Sequence, residues 1–212
     1  AALLCMAAVV SLASVRHLYE IAVGHLTTKH ELAQLARFDH LTGLPNRLLL
    51  NETCTSRLAN ARRSGAKVAI HYLDLDGFKA INDSYGHPAG DQLLIEVARR
   101  LRLATRAGTL ACRVGGDEFI LVQGDLHHRD EAHMLARRVI RQLSGPYLID
   151  GTEMHVSVSM GVALAPDHGD ESDMLIARAD AALYTAKACG KAQIRFYEPE
   201  TRRVPPKKML RI

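Results

Sequence analysis

The spacing of apolar and polar positions predicts a series of helices and strands that begins after residue 37. Strands and helices alternate without a regular βαβ series, which favours a mixed sheet over a doubly wound parallel one. We predict an α/β (α+β) fold in which helices flank a mixed central β-sheet. The predicted elements are a helix at about 46–63, a strand at 67–75, a short helix at 77–84, a helix at 90–104, a hairpin at 109–123, a helix at 129–144, strands within 146–165 broken near Gly151, a helix at 172–188 and a last strand near Ile194.

The first 15 residues are almost wholly apolar. As a helix they would span about 22 Å, less than the roughly 30 Å hydrocarbon core of a bilayer, which fits the end of a transmembrane helix. Arg16 and His17 follow directly, as expected on the cytoplasmic side. A signal peptide and a buried helix of an upstream domain are alternatives.

The next segment carries apolar residues at heptad a and d positions, interrupted by His25 and Thr28, and predicts a short coiled coil. These apolar residues are Leu18, Ile21, Leu32 and Leu35. At the other end, residues 199–212 are basic and rich in Pro, as in a linker. We therefore divide the chain into a signalling helix and coiled coil (1–36), one domain (37–198) and a C-terminal linker (199–212).

Composition narrows the choice of function. The 212 residues, 48% of them apolar, suffice for one core, and the net charge of +4 suits anionic nucleotides or a membrane surface. Lys and Arg are scattered and Trp is absent, so we expect no nucleic-acid partner. The four Cys lack CxxC spacing, which argues for a reducing compartment and against zinc.

The predicted hairpin has Gly115, Gly116, Asp117 and Glu118 at its tip. Glycines let a ligand lie against the backbone, and adjacent carboxylates on a tight turn favour a bound cation. An ordinary acidic turn would have a similar composition. The strand at 67–75 leads into Asp74 and Asp76, with Lys79 just beyond. Carboxylates and a Lys in this order are the parts of a metal-dependent phosphoryl-transfer site.

Five ordered motifs, which span roughly residues 37–198, resemble the GGDEF domain family of bacterial diguanylate cyclases. They lie at 39–47, 74–91, 115–119, 157–163 and 181–187, and the third spells the name of the family. Members of this family join two GTP molecules into cyclic di-GMP and release two pyrophosphates, each protomer of a homodimer presenting one GTP. The resemblance implies the cyclase and polymerase-palm type of sheet.

The resemblance also implies catalytic roles. Asp74, Asp117 and the backbone carbonyl of Leu75 would bind Mg²⁺ or Mn²⁺, and Asp117 would help to deprotonate the attacking 3′-hydroxyl. Glu118 would add a second carboxylate, and Lys79 would stabilise charge on the phosphates. For Asp76 we expect a structural role instead, as the cap of the helix that follows.

Substrate contacts follow from the same resemblance. Asn82 and Asp91 would contact the guanine edge and His87 would flank it. Gly115 and Gly116 would let the chain approach the α-phosphate. The β and γ phosphates would lie against Lys187 and Lys191. Apart from the resemblance, His87 could be a polar loop residue, Asp91 a stabilising carboxylate near a helix N-terminus, and the two lysines solvated charges.

Two departures from the family pattern affect these expectations. Gly190-Lys191-Ala192 stands where Gly-Arg-Asn is common, so the bidentate guanidinium is lost and triphosphate affinity is expected to be lower. At the product-inhibition site Arg106 is present, but Thr109 replaces the usual Asp. Arg137 or Arg138 would be the second partner at this degenerate site, where we expect weak or absent inhibition.

We therefore predict a diguanylate cyclase at the cytoplasmic face of the bacterial inner membrane, with a membrane anchor upstream. The alternative is a catalytically weak GTP-binding module that regulates an adjoining phosphodiesterase domain of the EAL type. A Pro-rich linker in this family often leads to such a domain.

Overall fold

The computed structural model describes Arg16, residues 37–105 and residues 108–199. The chain divides into two units, residues 1–38 and 39–212, and only Arg16, Arg37 and Phe38 of the first are described. The coiled coil and the apolar segment expected within 1–36 lie outside the described residues, as does the linker beyond Pro199. Among the helices that are described, none is both long and apolar enough to cross a membrane.

The second unit is built on a five-stranded sheet in the order β2-β3-β1-β6-β7, with a separate two-stranded β4-β5 pair. The β6-β7 pair is parallel and the other pairs are antiparallel, which confirms the predicted mixed sheet. The elements are α1 (Arg47–Ser64), β1 (Lys67–Asp76), α2 (Phe78–Tyr85), α3 (His87–Ala104), β2 (Thr109–Gly115), β3 (Glu118–Leu126), α4 (Arg129–Leu143), β4 (Tyr147–Ile149), β5 (Thr152–Met154), β6 (Ser157–Ala165), α5 (Ser172–Ala188) and β7 (Ile194–Phe196).

Several boundaries differ from the sequence-based expectation, most of all the start of α3 and the end of β3, which runs to Leu126 rather than to residue 123. Helix α3 begins at His87 rather than at residue 90, because Pro88 fits the first turn of a helix, where its missing N–H costs nothing. The strands predicted within 146–165 are three in number, and the predicted break near Gly151 is confirmed. Asp150 and Gly151, with φ of 49° and 79°, form the two-residue turn of the β4-β5 hairpin, and β6 follows separately.

Strand β1 lies at the centre of the sheet and is buried along most of its length, as its apolar sequence predicts. Its odd-numbered apolar residues pack in one core cluster with α2, α3 and α4, and its even-numbered ones pack in another with α1 and α5. Side chains on a strand alternate between the two faces. Asp74 and Asp76 therefore point to the α5 side.

Gly161 in β6 allows α5 to pack closely on the sheet. A Cβ at this position would lie 2.0 Å from the carbonyl oxygen of Ala179 and 2.2 Å from the backbone nitrogen of Leu183. Both atoms belong to the α5 backbone, so no rotation of a side chain could make room. The motif at 157–163 therefore fixes the distance between the sheet and α5.

Candidate active site

The end of β1 lies beside the tip of the β2-β3 hairpin. Asp74 is paired in register with Glu118, and the N–H of Leu75 donates to the carbonyl oxygen of Asp117 over 3.4 Å. Glu118 also accepts from the Tyr72 hydroxyl at 3.3 Å. The end of β1 and the tip of the hairpin together bring three carboxylates, those of Asp74, Asp117 and Glu118, to the same end of the sheet.

Asp74 is almost completely buried, at 8% exposure, and its carboxylate pairs with the ammonium of Lys187 over 2.7 Å. Burial raises the pKa of Asp74, and the nearby charges of Asp117 and Glu118 raise it further against the opposing effect of Lys187. The site therefore concentrates negative charge where water is scarce, and Lys187 from the last turn of α5 compensates part of it.

These residues fit a hard divalent cation. No closed cluster of three His, Cys, Asp or Glu side chains exists in the described part of the chain. The arrangement is instead a buried carboxylate that already binds a cation, the Lys187 ammonium, beside two further carboxylates. Carboxylate and carbonyl oxygens are the ligands that Mg²⁺ and Mn²⁺ prefer.

The backbone of Gly115 and Gly116 forms an open surface at the hairpin tip, which we call the two-glycine ledge. A Cβ added at Gly115 or Gly116 would meet no protein atom within 4 Å. Packing therefore does not require glycine here, although the φ of 47° at Gly116 favours it. The space above both residues is available to a ligand that lies against the backbone.

Sequence reasoning missed the residue that holds this tip. The Arg113 guanidinium donates to the carbonyl oxygen of Gly116 over 3.0 Å from Nε and 2.8 Å from Nη2. It also donates to Asp39 over 2.9 Å. Burial opposes ionisation of Asp39, but hydrogen bonds from Thr42 and Arg113 hold its pKa below the usual value. The signal was an Arg two positions before the first motif glycine.

The residues expected to contact guanine lie on α2 and α3. Asn82 is half-buried in α2, whereas His87 and Asp91 are exposed in the first turns of α3. Gly90, which sequence reasoning also missed, makes room for Asn82, since a Cβ there would lie 1.9 Å from Asn82 Oδ1. Lys79 is exposed in the first turn of α2.

Asp76 does not cap α2, so that prediction is wrong. The N-terminal cap position of α2 is Gly77, with a φ of 85°, and no side chain makes a capping hydrogen bond there. The Asp76 carboxylate instead accepts from the Ser157 hydroxyl at 2.8 Å and the Ser159 hydroxyl at 2.9 Å. It also accepts from the N–H of Ala192 at 3.2 Å. Lys191, one residue earlier, is exposed.

The expected product-inhibition site is only partly visible, because Arg106 lies outside the described residues. Thr109 and Arg138 line the same cleft of about 380 Å³, together with Gly124 and Asp125. Arg138 Nε donates to the carbonyl oxygen of Ala104 over 2.7 Å, which fixes part of its guanidinium to the end of α3.

Comparison with known proteins agrees with this geometry. The family model described as "Diguanylate cyclase, GGDEF domain" matches residues 36–193. The chain is 42% identical over 178 residues to the bifunctional diguanylate cyclase/cyclic di-GMP phosphodiesterase MucR of Pseudomonas aeruginosa, covering 84% of this chain and 26% of that protein. It is 42% identical over 166 residues to the cyclic di-GMP phosphodiesterase NbdA of the same organism, covering 78% and 21%.

A solved structure of the GGDEF domain of TpbB, also from Pseudomonas aeruginosa, matches with a TM-score of 0.74 and 35% identity. The match covers 76% of this chain and 94% of that one. The chain thus spans about a quarter or less of the two curated relatives but nearly all of an isolated domain.

Proposed function

This chain belongs to the GGDEF domain family, and we propose that it is a diguanylate cyclase that acts as a homodimer. Each protomer would present one GTP to the other. The 3′-oxygen of each GTP attacks the α-phosphorus of its partner, two phosphodiester bonds form, and two pyrophosphates leave. The observation that carries this proposal is the buried Asp74 carboxylate, which lies beside Glu118 and an open two-glycine ledge.

In this proposal Asp74, Asp117 and the carbonyl oxygen of Leu75 hold Mg²⁺ or Mn²⁺. The metal, when bound, screens the phosphates and makes the 3′-hydroxyl more acidic. Asp117 accepts the proton of that hydroxyl. Glu118, oriented by the Tyr72 hydroxyl, adds charge beside it. Exposed Lys79 stabilises the charge that develops on the phosphates.

The nucleotide would lie across the hairpin tip. Asn82 and Asp91 hydrogen-bond the guanine edge, with His87 alongside. The open backbone at Gly115 and Gly116 admits the α-phosphate. The β and γ phosphates contact the Lys187 and Lys191 ammonium groups, so Lys187 exchanges its contact with Asp74 for one with phosphate.

A second candidate is a catalytically weak GTP-binding module that regulates an adjoining phosphodiesterase domain of the EAL type. It is favoured by Lys191, which cannot grip phosphate bidentately, and by a 42% identical relative named as a phosphodiesterase. For the whole protein we propose a location at the cytoplasmic face of the bacterial inner membrane, because residues 1–15 are almost wholly apolar and Arg16 and His17 follow.

The test incubates the 212-residue chain with GTP and Mg²⁺ and measures cyclic di-GMP and pyrophosphate over a range of protein concentrations. A dimeric cyclase gives product that rises faster than linearly with protein and disappears in Asp117→Ala. Asp167→Asn is the matched control, since this carboxylate pairs with Lys67 at the other end of β1. GTP binding without product, even when a leucine zipper replaces residues 18–36, would favour the regulatory module.

A further inference from the structure

The Asp76 carboxylate connects the end of β1 to two other parts of the chain. Its Oδ1 accepts from the Ser159 hydroxyl, and its Oδ2 accepts from the Ser157 hydroxyl and from the N–H of Ala192. Three donors from β6 and from the turn after α5 thus meet on one side chain. With its oxygens committed in this way, Asp76 is a structural acceptor.

The turn that contains Ala192 has a conformation that needs support. Gly190, Lys191 and Ala192 have φ of 113°, 63° and 48° in succession. Residues with a Cβ rarely adopt positive φ, and such segments persist only where surrounding contacts determine them. The N–H of Lys191 donates to Ala186 over 3.1 Å, and Ala192 donates to Asp76. Asp76 supplies the only side-chain acceptor among these described contacts of the turn backbone.

We propose that Asp76 is a positioning residue for triphosphate binding, because it fixes the turn that presents Lys191. This inference rests on the proposed function, in which Lys191 contacts the β and γ phosphates. Asp74 and Asp76 point to the same side of β1, since they are two residues apart on a strand. One binds Lys187 directly, and the other holds the backbone that carries Lys191. A single strand end would therefore place both phosphate-binding cations.

Asp76→Asn tests this role with little change in volume. An amide has only one acceptor oxygen, and its NH₂ would face a hydroxyl or the N–H of Ala192. We expect the variant to bind 3′-deoxy-GTP with Mg²⁺ about tenfold more weakly, the effect of losing one hydrogen bond to a charged group. This nucleotide lacks the attacking hydroxyl, so calorimetry measures binding without turnover. Affinity for GMP, which has no β or γ phosphate, should not change.

Lys191→Ala identifies the route of the effect. If Asp76 acts through Lys191, this variant also loses about tenfold for 3′-deoxy-GTP, and the double variant loses no more than either single one. Asp167→Asn serves as the control and should bind both nucleotides like the unmodified chain. Thermal unfolding of each variant, followed by circular dichroism, checks the fold. If Asp76→Asn does not fold, Ser159→Ala is measured, with the same pattern expected at smaller size.

Equal losses for GMP and 3′-deoxy-GTP would overturn the proposal, because they would mean a general disturbance of the site. Additive losses in the double variant would overturn it as well. If the unmodified chain binds both nucleotides, these results reject the role of Asp76 and leave the proposed function intact. If it binds neither, the proposed function fails and this inference fails with it.

Discussion

Gly90→Ala provides a direct test of how α2 and α3 fit together. The new Cβ would lie 1.9 Å from Asn82 Oδ1, 3.0 Å from Asn82 Cγ and 3.3 Å from the ring of Phe78. An ordinary contact begins near 3.4 Å, so the Asn82 oxygen has to move by about 1.5 Å. Since it is the end of a side chain, the amide will rotate away before either helix shifts.

The expected loss of stability is modest. Crowding in a packed site destabilises a protein by about 2 kcal/mol, whereas replacing Gly by Ala inside a helix stabilises the helix by about 1 kcal/mol. The free energy of unfolding should therefore fall by about 1 kcal/mol. In an Asn82→Ala background the clash with the amide is absent. There Gly90→Ala should instead stabilise the protein by about 0.5 kcal/mol, limited by the remaining contact with Phe78.

Urea unfolding of the four proteins in this cycle gives the coupling free energy, expected at about 1.5 kcal/mol. The nucleotide test is separate: with Asn82 as the proposed guanine contact, 3′-deoxy-GTP should bind Gly90→Ala about tenfold more weakly, because the displaced amide would lose that hydrogen bond. If Gly90→Ala changes stability equally in both backgrounds, the clash does not involve Asn82 and the reasoning is refuted.

Three further predictions concern the sheet and the hairpin tip. His71 is fully buried, and burial lowers its pKa from 6.5 to about 4, so below pH 6.5 the unfolded chain binds more protons than the folded one. The free energy of unfolding should therefore decline by up to roughly 3 kcal/mol as the pH falls towards 4, and urea titrations should show a smaller decline for His71→Leu. Gly161→Ala should reduce the free energy of unfolding by about 3 kcal/mol, since its Cβ would meet the carbonyl of Ala179 at 2.0 Å. Arg113→Lys keeps the charge but loses the two hydrogen bonds to Gly116, so the proposed formation of cyclic di-GMP should fall about tenfold while the far-ultraviolet circular dichroism stays unchanged.

Each of these has a matched control. His40→Gln, which alters an exposed histidine, is the control for His71→Leu. Gly145→Ala should cost far less than Gly161→Ala, because its Cβ would lie 3.3 Å from a side-chain nitrogen of Arg100 rather than within 2.2 Å of helix backbone. Arg99→Lys alters an exposed arginine on α3 and should leave activity as it is. A control that behaves like its test variant would contradict the explanation given for that variant.

The sequence predicted the sheet well because β1 is apolar along most of its length, and α2, α3 and α4 have clear helical periodicity. It predicted the hairpin tip for another reason, because Gly115, Gly116, Asp117 and Glu118 separate two apolar runs. It placed the start of α3 three residues late, since Pro88 was not recognised as a residue of the first turn. Such boundaries depend on terminal contacts that periodicity does not encode.

The contacts within the site were harder to predict. The role of Asp76 was mistaken because a carboxylate before a helix often caps that helix. Here the Asp76 carboxylate instead accepts from Ser157 and Ser159, which lie about 80 positions later in the sequence. The support of the hairpin tip by Arg113 also depends on distant residues. The spacing of the motifs predicts which residues share a site, but their hydrogen-bond partners depend on tertiary contacts between distant parts of the chain.

The close packing at Gly161 has a consequence for the charge at the candidate active site. Lys187 follows Leu183 by one helical turn, and the Leu183 backbone rests where a Cβ of Gly161 would be. Any residue larger than glycine would lift α5 from the sheet and draw the Lys187 ammonium away from Asp74, which it now meets at 2.7 Å. The absence of a side chain at Gly161 therefore sets the distance between α5 and the sheet, and with it the reach of the Lys187 ammonium towards Asp74.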